Sequence, residues 1–157
     1  MTDRPLDGVS EFEIRPHVGV GPVLLGMTRE EVHRVLGSPD RLIRENRESF
    51  LDGVFVDFTP EGRAELIELA NSPRFRAVFD GVWLHGTPAE DAVAVVSKHA
   101  TYDETDPECG YAFVFPILDM SLWRRTLPGD RQAATDVAGR YFEAVAIGTR
   151  GYFARLG

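Results

Sequence analysis

The sequence predicts an α+β fold, in which two β-α-β-β-type repeats, about residues 12–72 and 73–157, join their strands into one antiparallel sheet with the helices on one face. Three observations carry that prediction. Val23-Leu24-Leu25-Gly26-Met27-Thr28-Arg29-Glu30-Glu31 is echoed 59 residues later by Val82-Trp83-Leu84-His85-Gly86-Thr87-Pro88-Ala89-Glu90. Each copy passes from an extended apolar segment through a glycine to Thr-x-x-Glu, the capping box that opens a helix. Behind each helix lie segments in which apolar and polar residues alternate, separated by turn residues.

After Thr28, the residues Val32, Val35 and Leu36 are spaced to form one apolar helix face, and Gly37 with Ser38-Pro39 supplies the stop. After Thr87, Pro88 suits the first helical position, and Ala92, Val93, Val95 and Val96 run toward His99. The first half then reads as a hairpin: Phe50 to Phe58, a turn at Thr59-Pro60-Glu61-Gly62, and Arg63 to Ala70. In the second half Tyr111 to Phe115 and Leu118 to Arg125 read as strands bent at Pro116, and a last strand lies within Tyr141 to Gly148. Phe12 to Arg15 and Arg74 to Phe79 are extended segments upstream of each helix.

The 157 residues suit a single domain with its own core. With 17 basic and 25 acidic side chains the net charge is −8, which disfavours nucleic acid and anionic membrane as partners. Residues 1–78 hold 10 basic and 14 acidic groups and residues 79–157 hold 7 and 11, so charge marks no domain boundary. No apolar run approaches the roughly 18 residues of a membrane span, and Met1 to Ser10 has no apolar signal segment. One cysteine, Cys109, forms no internal disulfide and no Cys-rich zinc site, so the expected setting is the cytoplasm.

Leu25-Gly26-Met27-Thr28-x-Glu30-Glu31-Val32, followed by Leu36-Gly37-Ser38-Pro39-Asp40, resembles the segment shared by the tandem-repeat β-lactamase-inhibitor-protein-like fold and the small outer-membrane assembly lipoproteins. It is also similar to cytosolic bacterial proteins in which that segment precedes a hairpin like the one from Asp52 onward. The resemblance covers residues 20 to 70 and implies helices packed on one face of a sheet, with the open face binding other proteins. It implies no catalytic activity. The chain lacks the lipoproteins' signal segment and lipid-acceptor cysteine and the inhibitors' disulfides, so neither an envelope role nor inhibition of a β-lactamase carries over.

No catalytic signature stands out. His17, His33, His85 and His99 make none of the paired spacings that set two imidazoles at metal distance, and no metal or cofactor is expected. Thr101 to Gly110 carries four carboxylates, but Pro107 interrupts it and the alternating order of a calcium loop is absent, so it reads as a solvated acidic loop or a docking surface. Those carboxylates disfavour a thiolate at Cys109. The serines sit in no nucleophile elbow, and Gly19-Val20-Gly21-Pro22 lacks the lysine and donors of a phosphate loop. Carboxylates such as Glu65 and Glu68 are too numerous to single out.

Alternation offers more. Val54, Val56 and Phe58 share one face of their strand and Phe55 and Asp57 the other, while Asp119, Ser121 and Trp123 alternate with Leu118, Met120 and Leu122. With the aliphatic sets toward the helices, Phe55, Asp57, Asp119 and Trp123 line the open face as a partner surface, or else Trp123 and Phe55 fill a second small core under the 126–140 loop. The expected function is a non-enzymatic protein-interaction module of inhibitor or immunity type that masks a basic protein. The alternative is a small-molecule-binding or sensor domain with a cleft between the sheet and the 126–140 loop, and a convergent hydrolase is the third reading.

Overall fold

About half of the core of this computed structural model comes from one wide sheet, and the structure describes residues 9–128 and 139–156. The strands in chain order are β1 (Ser10–Arg15), β2 (Gly19–Val20), β3 (Val23–Leu24), β4 (Arg41–Arg44), β5 (Arg47–Phe50), β6 (Val54–Phe58), β7 (Ala64–Ala70), β8 (Phe75–Phe79), β9 (Val82–Trp83), β10 (Ala112–Phe115), β11 (Met120–Trp123) and β12 (Ala144–Gly148). Helix α1 (Arg29–Leu36) lies between β3 and β4, α2 (Ala89–Ser97) between β9 and β10, and α3 (Tyr152–Leu156) follows β12.

The α+β class is as expected, but the strands form two sheets rather than one. A seven-stranded antiparallel sheet has the order β10-β11-β12-β7-β6-β5-β4, and a five-stranded sheet the order β3-β2-β1-β8-β9, in which β1 and β8 run parallel. Coverage explains the division. Seven strands about 4.8 Å apart make a sheet about 29 Å wide. Helices of 8 and 9 residues, about 12–14 Å long, cannot cover it alone. Ile14, Val20, Val23, Phe75, Ala77 and Phe79 of the small sheet close the layer, joining Val32 and Leu36 of α1 and Ala92 and Val96 of α2 in one core. From the large sheet that core takes Phe50, Val54, Val56, Phe58, Ile67, Leu69, Phe115, Met120, Leu122, Val145 and Ile147, the alternate positions of each strand.

The first capping box forms as expected. The Thr28 hydroxyl accepts from the Glu31 N–H at 3.1 Å, and the Glu31 carboxylate accepts from the Thr28 N–H at 2.9 Å. Gly37 closes the helix at φ 89°, its N–H donating to the His33 carbonyl at 2.8 Å. Val32 and Leu36 are buried, whereas Val35, expected on the same face, is exposed. The second box does not form. Thr87 lies outside α2, and its hydroxyl donates to the Trp83 carbonyl at 2.7 Å, closing a 3-10 turn at Leu84–Gly86. Pro88 is the N-cap, and the Ala89 N–H finds the Arg140 carbonyl at 2.8 Å. The expected Phe50–Phe58 strand is broken too, because Leu51 (φ 53°) and Asp52 (φ 59°) make the left-handed turn of a tight β5–β6 hairpin.

Helix α1 is strapped to the large sheet through Glu48 of β5. That buried carboxylate accepts from Arg29 and, at 2.6 Å, is bonded to His33 Nε2, and the Arg29 guanidinium lies 4.4 Å above the Phe58 ring. Burial alone pushes the Glu48 carboxyl up, but bonds from His33 and Arg29 outweigh it and leave the carboxyl below its ordinary value of 4.5. A lowered folded-state value stabilises the fold fully above the unfolded value, and the contribution is lost as pH falls through the folded one. Glu48→Gln is therefore expected to cost about 1–2 kcal/mol at neutral pH. The gap to the parent should close as pH falls below about 4, which urea titrations across pH will show. A gap unchanged at low pH would refute the ionic role.

Candidate functional site

The face of the large sheet turned away from the core is divided in two by one arginine. On β5 and β6 it carries Arg47, Ser49, Phe55 and Asp57, and on β7 Leu66, Glu68 and Ala70. Arg47 donates to Asp57 at 2.9 Å and to Glu68 at 2.7 Å, and its guanidinium lies 4.9 Å from the Phe55 ring centre. Burial pushes the Asp57 carboxyl above its ordinary value, with Arg47 acting against it. Phe55 and Asp57 do lie on the open face, but they sit beneath Arg47 and offer little to a partner.

The other half of that face is a trough. The register sets Ala112, Trp123, Ala144 and Ala70 in one row across β10, β11, β12 and β7, and Val114, Ser121, Ala146 and Glu68 in the next. Alanine and serine make a low floor, and two walls rise from it. One is the acidic segment Asp103 to Pro107, where Asp103 accepts from the Thr105 N–H at 2.9 Å and hydroxyl at 2.6 Å. Those two bonds hold the Asp103 carboxyl below its ordinary value. The other wall is α3, with Tyr152 and Phe153. The groove between them has a volume of about 770 Å³, and Trp123, 37% exposed, stands at its end.

Past Trp123 the groove continues into a hollow of about 480 Å³ that shares Glu68, Trp123 and Ala144 and adds Tyr141, Glu143 and His85. His85 is buried with Nε2 3.0 Å from the Leu69 carbonyl oxygen. Burial lowers its pKa more than that carbonyl raises it, so the ring is neutral at physiological pH.

Asp119, expected on the open face, is instead buried at the β10–β11 turn with φ 48°. Its carboxylate accepts from the Gly151 N–H at 2.9 Å and the Phe153 N–H at 3.3 Å and lies 2.9 Å from His17 Nε2, so it anchors α3 and thereby one wall of the groove. Gly148 completes the mounting. A Cβ there would lie 2.7 Å from Tyr152 Cβ, so only glycine lets α3 sit down on the sheet. Of the four residues expected to line a partner surface, Trp123 alone borders the groove. The cleft expected against the 126–140 loop involves residues 129–138, which lie outside the described residues.

All four histidines have partners: Asp119 for His17, Glu48 for His33, the Leu69 carbonyl for His85 and Asp80, at 3.1 Å, for His99. Among the described residues no three of His, Cys, Asp and Glu converge as a metal site would need, and no helix is long and apolar enough to cross a membrane. Comparison with protein-family models, with curated proteins and with solved structures found no match to this chain.

Proposed function

We propose that this protein is a non-enzymatic protein-interaction module that receives an extended segment of a partner protein in the groove on its open sheet face, acting as an inhibitor- or immunity-type protein in the cytoplasm. The observation that carries the reading is the elongated shape. The two hollows share three residues and run past Trp123 as one trough over a floor of alanines, a form suited to extended chain. Trp and Tyr at its edges are the residue types that dominate binding hot spots. The resemblance of residues 20 to 70 to the inhibitor-like and lipoprotein fold supports the same use of the open face. We also propose that the two halves are repeats, about 12–72 and 73–157. In support, each half contributes strands to the small sheet, then a helix, then strands to the large sheet, and their last strands β7 and β12 pair at its middle.

Selection from a library of displayed random peptides tests the function. The parent protein should enrich a family of sequences, and Ala146→Trp, which fills the floor between Ser121 and Glu68, should abolish that enrichment while its melting point stays within about 4 °C of the parent. Trp123→Ala should weaken it. Enrichment unchanged in both variants would move the binding surface elsewhere. The second reading, a small-molecule site, has the volume of about 770 Å³ in its favour, within the usual range for such sites. A metabolite that raises the melting point of the parent but not of Ala146→Trp, with no peptide enriched, would replace our reading with that one.

A further inference from the structure

We propose that the segment seated in this groove presents a cationic side chain, arginine or lysine, between Trp123 and the carboxylates of Glu68, Asp103 and Asp106; the inference rests on the groove being a binding site. Among the described residues, the lining of both hollows holds Glu68, Asp103, Asp106 and Glu143 but neither lysine nor arginine. Glu143 accepts from the Arg125 backbone N–H at 3.1 Å, and the Arg125 Nε lies 4.0 Å from its other oxygen. The other three each engage one oxygen inside the protein: Glu68 with Arg47, Asp103 with Thr105, Asp106 with the Glu108 N–H at 2.9 Å. Among the described residues the second oxygen of each has no other partner, although Glu68 is also ion-paired with Arg47 through its first.

A cation with an apolar stem fits this arrangement on three grounds. The floor of Ala112, Val114, Ala144 and Ala146 is apolar, which suits a methylene chain and not a hydrated metal ion. Asp103 and Asp106 stand on one wall and Glu68 on β7, and among the described residues they do not converge on one point. Trp123 gives a cation an aromatic face, and a half-enclosed groove strengthens both the ion pair and the cation–π contact. The excess of acid over base in the whole chain would speed the approach of such a partner.

The test uses three blocked pentapeptides, alternating valine with arginine, with citrulline or with glutamate, titrated by fluorescence anisotropy. Citrulline keeps the shape and loses the charge. The arginine peptide should bind about tenfold or more tightly than the citrulline one, a difference of about 1.4 kcal/mol or more. The preference should shrink as salt rises from about 0.1 M to about 1 M, which shortens the screening length from about 10 Å to about 3 Å. Glu68→Gln combined with Asp106→Asn keeps the amide oxygens as acceptors for Arg47 and Glu108, and should bring the preference below about threefold. Equal binding of the arginine and citrulline peptides, lost in Ala146→Trp, would overturn the cationic preference and leave the groove as a binding site. Binding of none of the three would overturn the groove as a site for extended chain.

Discussion

Asp119→Ala is expected to destabilise the protein by about 3 kcal/mol, a fall in melting point of about 6–12 °C, and to free α3 from the sheet. The carboxylate is buried and accepts the N–H groups of Gly151 and Phe153, while His17 bonds to it from the turn after β1. Removing it strands two backbone donors at the start of a five-residue helix. Propensity cannot hold so short a helix. Trypsin should then cut after the exposed Arg150 faster in the variant than in the parent, at temperatures where both are folded. Asp119→Asn should fall between them, because the amide keeps one acceptor oxygen and asparagine tolerates a left-handed backbone. An alanine variant that melts within about 2 °C of the parent and resists trypsin equally would show that α3 is held by packing alone.

Arg124→Met should be comparably costly, about 2–4 kcal/mol, and should act on the opposite wall. Arg124 is 6% exposed, with Nε donating to the Gly110 carbonyl at 2.9 Å and Nη1 to the Gly139 carbonyl at 2.8 Å, over the Phe142 ring. Methionine fills much of the stem's volume but leaves both carbonyls without that donor. The acidic segment runs into Gly110, so its attachment to the sheet should loosen. Urea unfolding should show a lower midpoint with an unchanged slope, and amide exchange near Ala112 should quicken before exchange in α1 does. Arg124→Lys should recover only part of the loss, since an ammonium lacks the planar fork that spans the two carbonyls. A methionine variant within about 0.5 kcal/mol of the parent would remove Arg124 from this role.

The elements that the sequence revealed are those whose signals are local. Thr28 and Glu31 meet within one helical turn, and Val54, Val56 and Phe58 alternate within one strand, so each could be read without knowing what packs against it. Thr87 and Glu90 carry the same spacing, yet Gly86 sits one residue later than Gly26 in the echo, and the Thr87 hydroxyl closes the turn before the helix instead. Strand β4 escaped notice because all four of its residues are exposed, and Arg41-Leu42-Ile43-Arg44 has no buried face to impose alternation. Division into two sheets is a matter of how much apolar area two short helices can cover, which no local window contains.

The groove was harder to see for a related reason. Its floor is written in small residues, Ala144, Ala146 and Gly148 alternating with Val145 and Ile147, and that alternation was present to be read. What makes it a floor is the height of its surroundings. Asp119 could be placed on the open face only by extending the β11 alternation one residue into a turn, and a left-handed residue breaks that alternation. Phe55 and Asp57 were assigned to the right face, but Arg47, eight and ten residues upstream, covers them through contacts that no short window displays.

Arg47 also works as a measuring stop. Bonded to Glu68, it lies just beyond the trough on the β6 side of β7, so an occupant of the kind proposed, lying across the strands, would have three inter-strand gaps, about 14 Å, before it meets a like charge. Extended chain advances about 3.3 Å per residue, so about four or five residues fill that length. A cationic residue placed farther along would face the Arg47 guanidinium instead of a carboxylate. If the groove takes extended chain as proposed, this one ion pair would set both the length of the segment and the position in it where positive charge is disfavoured.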